Sequence, residues 1–351
     1  MGTLNTFLGF NAGASDRDVA FSYNTTTPFV YAYPWTVSGG FGTRYASPAT
    51  VPTGNGQWVT FNRDSTSILV AHQTTPFTSA YPWTNGTGFG TKYSDPATLP
   101  TGQGQGADFS PDNANVVIAH DTTPFVSAYP FSSSTGFGTK YANPATLPAN
   151  NGRVAAFSPS GADVAIGINT TSPFIYVYPW ANGTGFGTKY TDPATLPGAV
   201  TNGAAFSPAG NAIIVAFQLT PWTYAYPWTN GTGFGTRYTD PATIPTGNGQ
   251  VVAFSPSGAD VVIGHSITPF VSAYPWSFGS GYGSKYANPA TLPTGQANGA
   301  SFSKTGTTIS LATTGTVSDY VFTYPWASGF GTKYTDPSPT LGGNGNGVAF
   351  S

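Results

Sequence analysis

The side chains able to do chemistry in this chain are few, and most recur at fixed places. A basic residue returns seven times in equivalent surroundings: Arg44, Lys92, Lys140, Lys189, Arg237, Lys285 and Lys333, seven of the eleven lysines and arginines. Such a ring of cations could grip an anionic partner. On an outer strand the same residues would discourage edge-to-edge pairing. Four have an aspartate three residues later (Asp95, Asp192, Asp240 and Asp336), which weakens any local positive field. Trp35, Trp83, Trp180, Trp228, Trp276 and Trp326 each end a Tyr-Pro-Trp motif. Their indoles could stack on sugar rings, or could fill space between packed sheets. His72, His120 and His265 share one position in three repeats, where Ile168 and Phe217 stand in two others. A place that accepts apolar residues suits a structural histidine, and a metal would also want nearby carboxylates or thiolates. Gly-Phe-Gly is followed by no helix, so no phosphate loop is read. No Ser-His-Asp set is singled out. The expectation is no catalytic residue, no cofactor and no metal.

The elements that must position these residues are repeats. Tyr-Pro-aromatic recurs at Tyr33, Tyr81, Tyr129, Tyr178, Tyr226, Tyr274 and Tyr324, spaced 48 to 50 residues apart. A period near this length, marked by aromatics and glycines, predicts β-propeller blades that cannot bury their faces alone and must stack. Within 150–193, Val154–Ser158, Asp163–Ile168, Phe174–Trp180 and Gly185–Tyr190 read as four strands. Pro159-Ser160-Gly161 and Asn182-Gly183 carry the turn chemistry between them. In the third strand Phe174, Tyr176, Tyr178 and Trp180 alternate with Ile175 and Val177, so both faces are apolar. Proline in the Tyr-Pro-Trp motif donates no ladder hydrogen bond and marks a strand end or bulge. The fold class is therefore all-β, one seven-bladed propeller of four antiparallel strands per blade over residues 1–351. The first-strand phenylalanine appears eight times, from Phe10 to Phe350, one copy too many. Gly347–Ser351 is expected to enter the first blade as its inner strand and close the ring, with 4–10 left over; the reverse assignment is the alternative.

Composition agrees with this class. Only 7% of the 351 residues are charged, there are 45 glycines and 31 prolines, and all 13 acids are aspartates. Helix formers are scarce and strand and turn formers abundant. The net charge of −2 gives no basic excess for nucleic acid. Without cysteine, no disulfide staples the fold. No apolar run reaches the roughly 20 residues needed to span a bilayer, and the amino terminus lacks the pattern of a secretion signal.

Residues 251–264, VVAFSPSGADVVIG, resemble a WD-repeat-like bacterial and phage propeller family, with Pro-Phe-Val and Pro-Ala-Thr-Leu-Pro segments completing each unit. The Gly-His and Trp-Asp marks of true WD repeats are missing. The resemblance implies a recognition or structural role and carries no catalytic residue. The leading expectation is a non-enzymatic scaffold, a phage virion component of tail or head surface. It would dock on other virion or assembly proteins, or on itself, without nucleic acid or membrane insertion. The alternative is a multivalent lectin using the six tryptophans on cell-surface glycans. A third reading is a hydrolase or lyase working in the central channel, which would need carboxylates or histidines near the axis.

Overall fold

The computed structural model describes residues 17–315 and 319–351. Seven antiparallel sheets are arranged as a seven-bladed β-propeller; six have four strands, and the seventh has three plus the Trp326–Phe330 bridge. Inner strands run Gly345–Phe350 (blade 1), Gly56–Phe61 (blade 2), Gly104–Phe109 (blade 3), Gly152–Phe157 (blade 4), Thr201–Phe206 (blade 5), Gly249–Phe254 (blade 6) and Ala297–Phe302 (blade 7). Each packs beside the next, and blade 7 meets blade 1, so the ring is closed. Closure is made by the carboxy-terminal strand, whose Phe350, Ala349 and Val348 pair with Val19, Ala20 and Phe21. The alternative amino-terminal strand, residues 4–10, lies outside the described residues.

Both faces of each sheet are buried, as the alternation in the third strand requires. Tyr176, Tyr178 and Trp180 pack toward blade 3, while Ile175 and Val177 pack toward blade 5. Each motif Trp is enclosed by rings from its own blade and the preceding one: Trp83 has Phe61, Phe89 and Tyr45 at 5.1, 5.0 and 5.3 Å, all near edge-to-face. Such pairs add about 0.5–1.5 kcal/mol each beyond area burial. The motif tyrosines anchor the crossovers. Tyr81 donates to the Thr50 carbonyl at 2.8 Å and Tyr226 to that of Thr195 at 2.7 Å; Tyr33 repeats this on Pro339, across the closure.

The outer strand is shorter than the sequence suggests. It is two residues long, Gly185–Phe186 in blade 4, because the chain beyond Gly187 turns away, held by Gly187 N–H donating to Pro179 and Tyr190 N–H to Val177. The recurrent lysine therefore lies beyond the ladder, not on it.

Candidate functional site

The inner strands surround the channel, and a register irregularity near the start of all seven decides which residues face it. In blade 3, Gly104 pairs with His120 and Gly106 with Ala119, so Gln105 is an extra, unpaired residue. Side chains along a regular strand alternate, so the second and fifth residues would point oppositely; one inserted residue removes that mismatch. Both positions are half-buried in every blade. The second residues form one mouth, six amides and Arg153. The fifth residues are Thr60, Asp108, Ser301 and four alanines.

Between the mouths lies a cavity of about 260 Å³, lined by the third to sixth residues of the inner strands. Trp58 stands at the third position of blade 2, where four other blades carry glycine. It reaches the apolar clusters containing Val251 and Ala300 on one side and Ala107 on the other, so it crosses the channel. Asp108 is the one carboxylate among the cavity-lining residues. Its Oδ2 accepts the Phe157 N–H at 2.9 Å. Removal from water pushes its carboxyl up to about 6, against the Phe157 hydrogen bond and the Arg63 charge, which favour the ionised form. Such a group exists in both protonation states near neutrality, as a general base requires. Thr60 and Ser301 line the same cavity with hydroxyls that donate weakly, at 3.3 and 3.2 Å, to the carbonyls of Phe61 and Phe302. Sequence reasoning passed over Asp108. The signal was present: it interrupts a position that elsewhere carries Ala, Ser or Thr.

The seven recurrent cations are placed by the blades rather than gathered into one site. Lys92, Lys189, Arg237 and Lys333 each pair with the aspartate three residues on, and Lys140 and Lys285 with Asn143 and Asn288. The four ion-paired side chains are only 12–25% exposed. Arg44 and Arg237 lie 4.1 Å from the ring centres of Tyr31 and Tyr224, and Lys189 and Lys333 lie 5.0 Å from those of Tyr176 and Phe322. Their stems cover aromatic surface and their heads meet local partners, so little field reaches outward.

The six tryptophans are buried, with exposures of 1–6%. Three donate their indole N–H to a carboxylate on the preceding blade: Trp83 to Asp18 at 3.0 Å, Trp228 to Asp163 at 3.0 Å and Trp326 to Asp260 at 3.1 Å. They are enclosed by the aromatic contacts that glue the blades, and their faces are not available for sugar stacking. The three histidines are fully buried on blades 2, 3 and 6, each with Nε2 3.0–3.1 Å from a serine hydroxyl, Ser79, Ser127 or Ser272. Burial lowers all three to about 4. They do not converge on the channel.

No family model and no curated protein matches the chain. The resemblance to WD-like repeats therefore extends as far as the propeller architecture. Among the described residues no helix is long and apolar enough to cross a membrane. Solved structures share the architecture. A candidate 6-phosphogluconolactonase from Bacteroides uniformis superposes with a TM-score of 0.70 at 14% identity, covering 96% of this chain and 100% of that one. The periplasmic gluconolactonase of Pseudomonas aeruginosa gives 0.72 at 12%, covering 95% and 98%. A hydrazine synthase chain from Kuenenia stuttgartiensis gives 0.62 at 11%, covering 93% and 99%. Identities this low establish the fold alone. The expectation of a non-enzymatic virion scaffold with a lectin as alternative is nonetheless corrected: the neighbours named above are enzymes, none is a virion part, and the channel holds a carboxylate of the kind that the third reading, a hydrolase or lyase, needed near the axis.

Proposed function

We propose that the protein is a hydrolase of small lactones, working in the central channel with Asp108 as general base. Asp108 is the observation that carries this reading: the one acid on the cavity wall, with its carboxyl raised toward neutrality by burial. The cavity, about 260 Å³, suits a ligand no larger than one sugar unit, since drug-sized ligands occupy roughly 300 Å³ or more. Two of the neighbours bear gluconolactonase names, which supports the choice of substrate class.

In the proposed reaction the free Asp108 oxygen takes a proton from a water as that water attacks the lactone carbonyl. The ring oxygen leaves from the tetrahedral intermediate, receives the proton and yields the open hydroxy acid. Hydroxyls of Thr60 and Ser301 face the same space and would steady the developing oxyanion. Gluconolactone opening followed by pH-stat, with the spontaneous rate subtracted, tests this. The wild type should open the lactone with a rate that rises through about pH 6, and Asp108→Asn should lose about 100-fold or more. A wild-type rate equal to background, or an unimpaired Asn variant, would overturn the assignment.

A further inference from the structure

The mouth opposite Asp108 is built differently around its two halves. In one half the second residues of the inner strands are satisfied by the neighbouring blade. Asn202, Asn298 and Asn346 donate their amide N–H to the first-residue carbonyls of Gly249, Gly345 and Gly56 at 2.9, 3.2 and 2.7 Å. These bonds show that a side chain at this position spans the gap between adjacent blades. In the other half, on the consecutive blades 2, 3 and 4, stand Gln57, Gln105 and Arg153. They are half-buried, and among the described residues their side chains take part in no hydrogen bond or ion pair.

The three stand at the same position of adjacent inner strands that pack side by side. Gly106, next to Gln105, has no side chain, and the strand of blade 4 lies so close that a Cβ there would come 2.7 Å from the Arg153 carbonyl oxygen. Partial burial lowers the Arg153 guanidinium from its ordinary range, the mark of a cation losing water without a compensating charge. A planar fork of donors beside two amides matches an oxyanion, which accepts from all of them at once.

We infer that Gln57, Gln105 and Arg153 form a binding site for the oxyanion group, phosphate or carboxylate, of a small molecule at this mouth. The site lies beyond Trp58 from Asp108 and stands independently of the lactone reading. Asn or Gln fills the equivalent place in the other six blades, so Arg153→Gln restores the repeat and should fold.

Titration with inorganic phosphate and, separately, with acetate tests the site. Both are run at constant ionic strength against chloride, by calorimetry and by fluorescence of Trp58, compared with a Trp58→Phe control. Saturable binding of phosphate, of acetate or of both is expected, and the stronger arm identifies the oxyanion. Arg153→Gln should weaken it at least tenfold, Gln57→Ala with Gln105→Ala should also weaken it, and Asp108→Asn should leave it unchanged. No saturable binding of either anion, or equal affinity in wild type and Arg153→Gln, would overturn the site. Loss of binding in Asp108→Asn would also overturn its separateness.

Discussion

The histidine position shows how a single residue type is matched to its neighbour within one chain. Where the second strand ends in His72, His120 or His265, the third strand offers Ser79, Ser127 or Ser272. Where it ends in Tyr23, Ile168, Phe217 or Thr313, the partner is Tyr31, Tyr176, Tyr224 or Phe322, and the recurrent cation lies over that ring. A small polar pair and a large apolar pair fill the same space. In His120→Ile the buried Ser127 hydroxyl loses its partner, which should cost about 1–3 kcal/mol. Adding Ser127→Tyr, as in blade 4, should recover most of this in urea melts. The pH dependence follows from the same groups. Their folded values near 4 lie below the usual 6.5, so the unfolded chain binds more protons between these limits. Stability is therefore present above pH 6.5 and lost as pH falls toward 4, on the order of 3 kcal/mol per histidine. Asp108 acts in the opposite sense, since its raised value favours the fold at low pH and that contribution is lost as pH rises through 6. A melting series in which His120→Ile leaves the acid limb unchanged would contradict this account.

At the scale of elements, blade-to-blade adhesion rests on a shared acceptor at the start of the second strand. Asp163 accepts the Tyr190 hydroxyl at 2.7 Å and the Trp228 indole at 3.0 Å, tying blade 4, its crossover and blade 5. Asp260 does the same for Tyr286 and Trp326. Asn115 accepts the Tyr141 hydroxyl at 2.7 Å and reaches the next blade through Asn182, to which it donates at 2.7 Å and which accepts the Trp180 indole at 3.3 Å. Asp163→Ala would leave two donors without a partner in a buried seam, a loss of about 3 kcal/mol. Asp163→Asn should retain the tyrosine bond and lose less. Equal stability of the two variants in denaturant melts would show that the clasp is incidental. None of these partners is evident in the sequence, because Asp163 and Trp228 are 65 residues apart and only the stacking of blades brings them together.

For the whole molecule, the ring is closed by pairing residues at opposite ends of the chain. Val348 to Phe350 complete the sheet begun at Asp18, and Asn346 bridges to blade 2. A stack of repeats holds each unit through its neighbours, so opening one seam weakens both flanking blades. Deleting residues 344–351 should lower the melting temperature by more than about 10 °C, since it removes an inner strand with all its burial. An unchanged melt would mean that another segment serves as the clasp.

The period, the alternation and the turn residues determined the architecture before any coordinates, because each blade obeys local rules seven times over. The surplus phenylalanine showed that one terminal strand closes the ring, and the pairing of Val348 to Phe350 with the first blade decided which. The site escaped the same reading for a physical reason. The repeat directs attention to what recurs, and recurrent side chains in a propeller are mostly those that pack blade on blade, as the buried tryptophans and stacked cations do. The chemistry proposed for the channel rests on the exceptions, Asp108 and Arg153, which break their own positions in the series. That they line the channel depended on the bulge at the start of the inner strand, a backbone feature that sequence alternation does not reveal and only the tertiary structure decided.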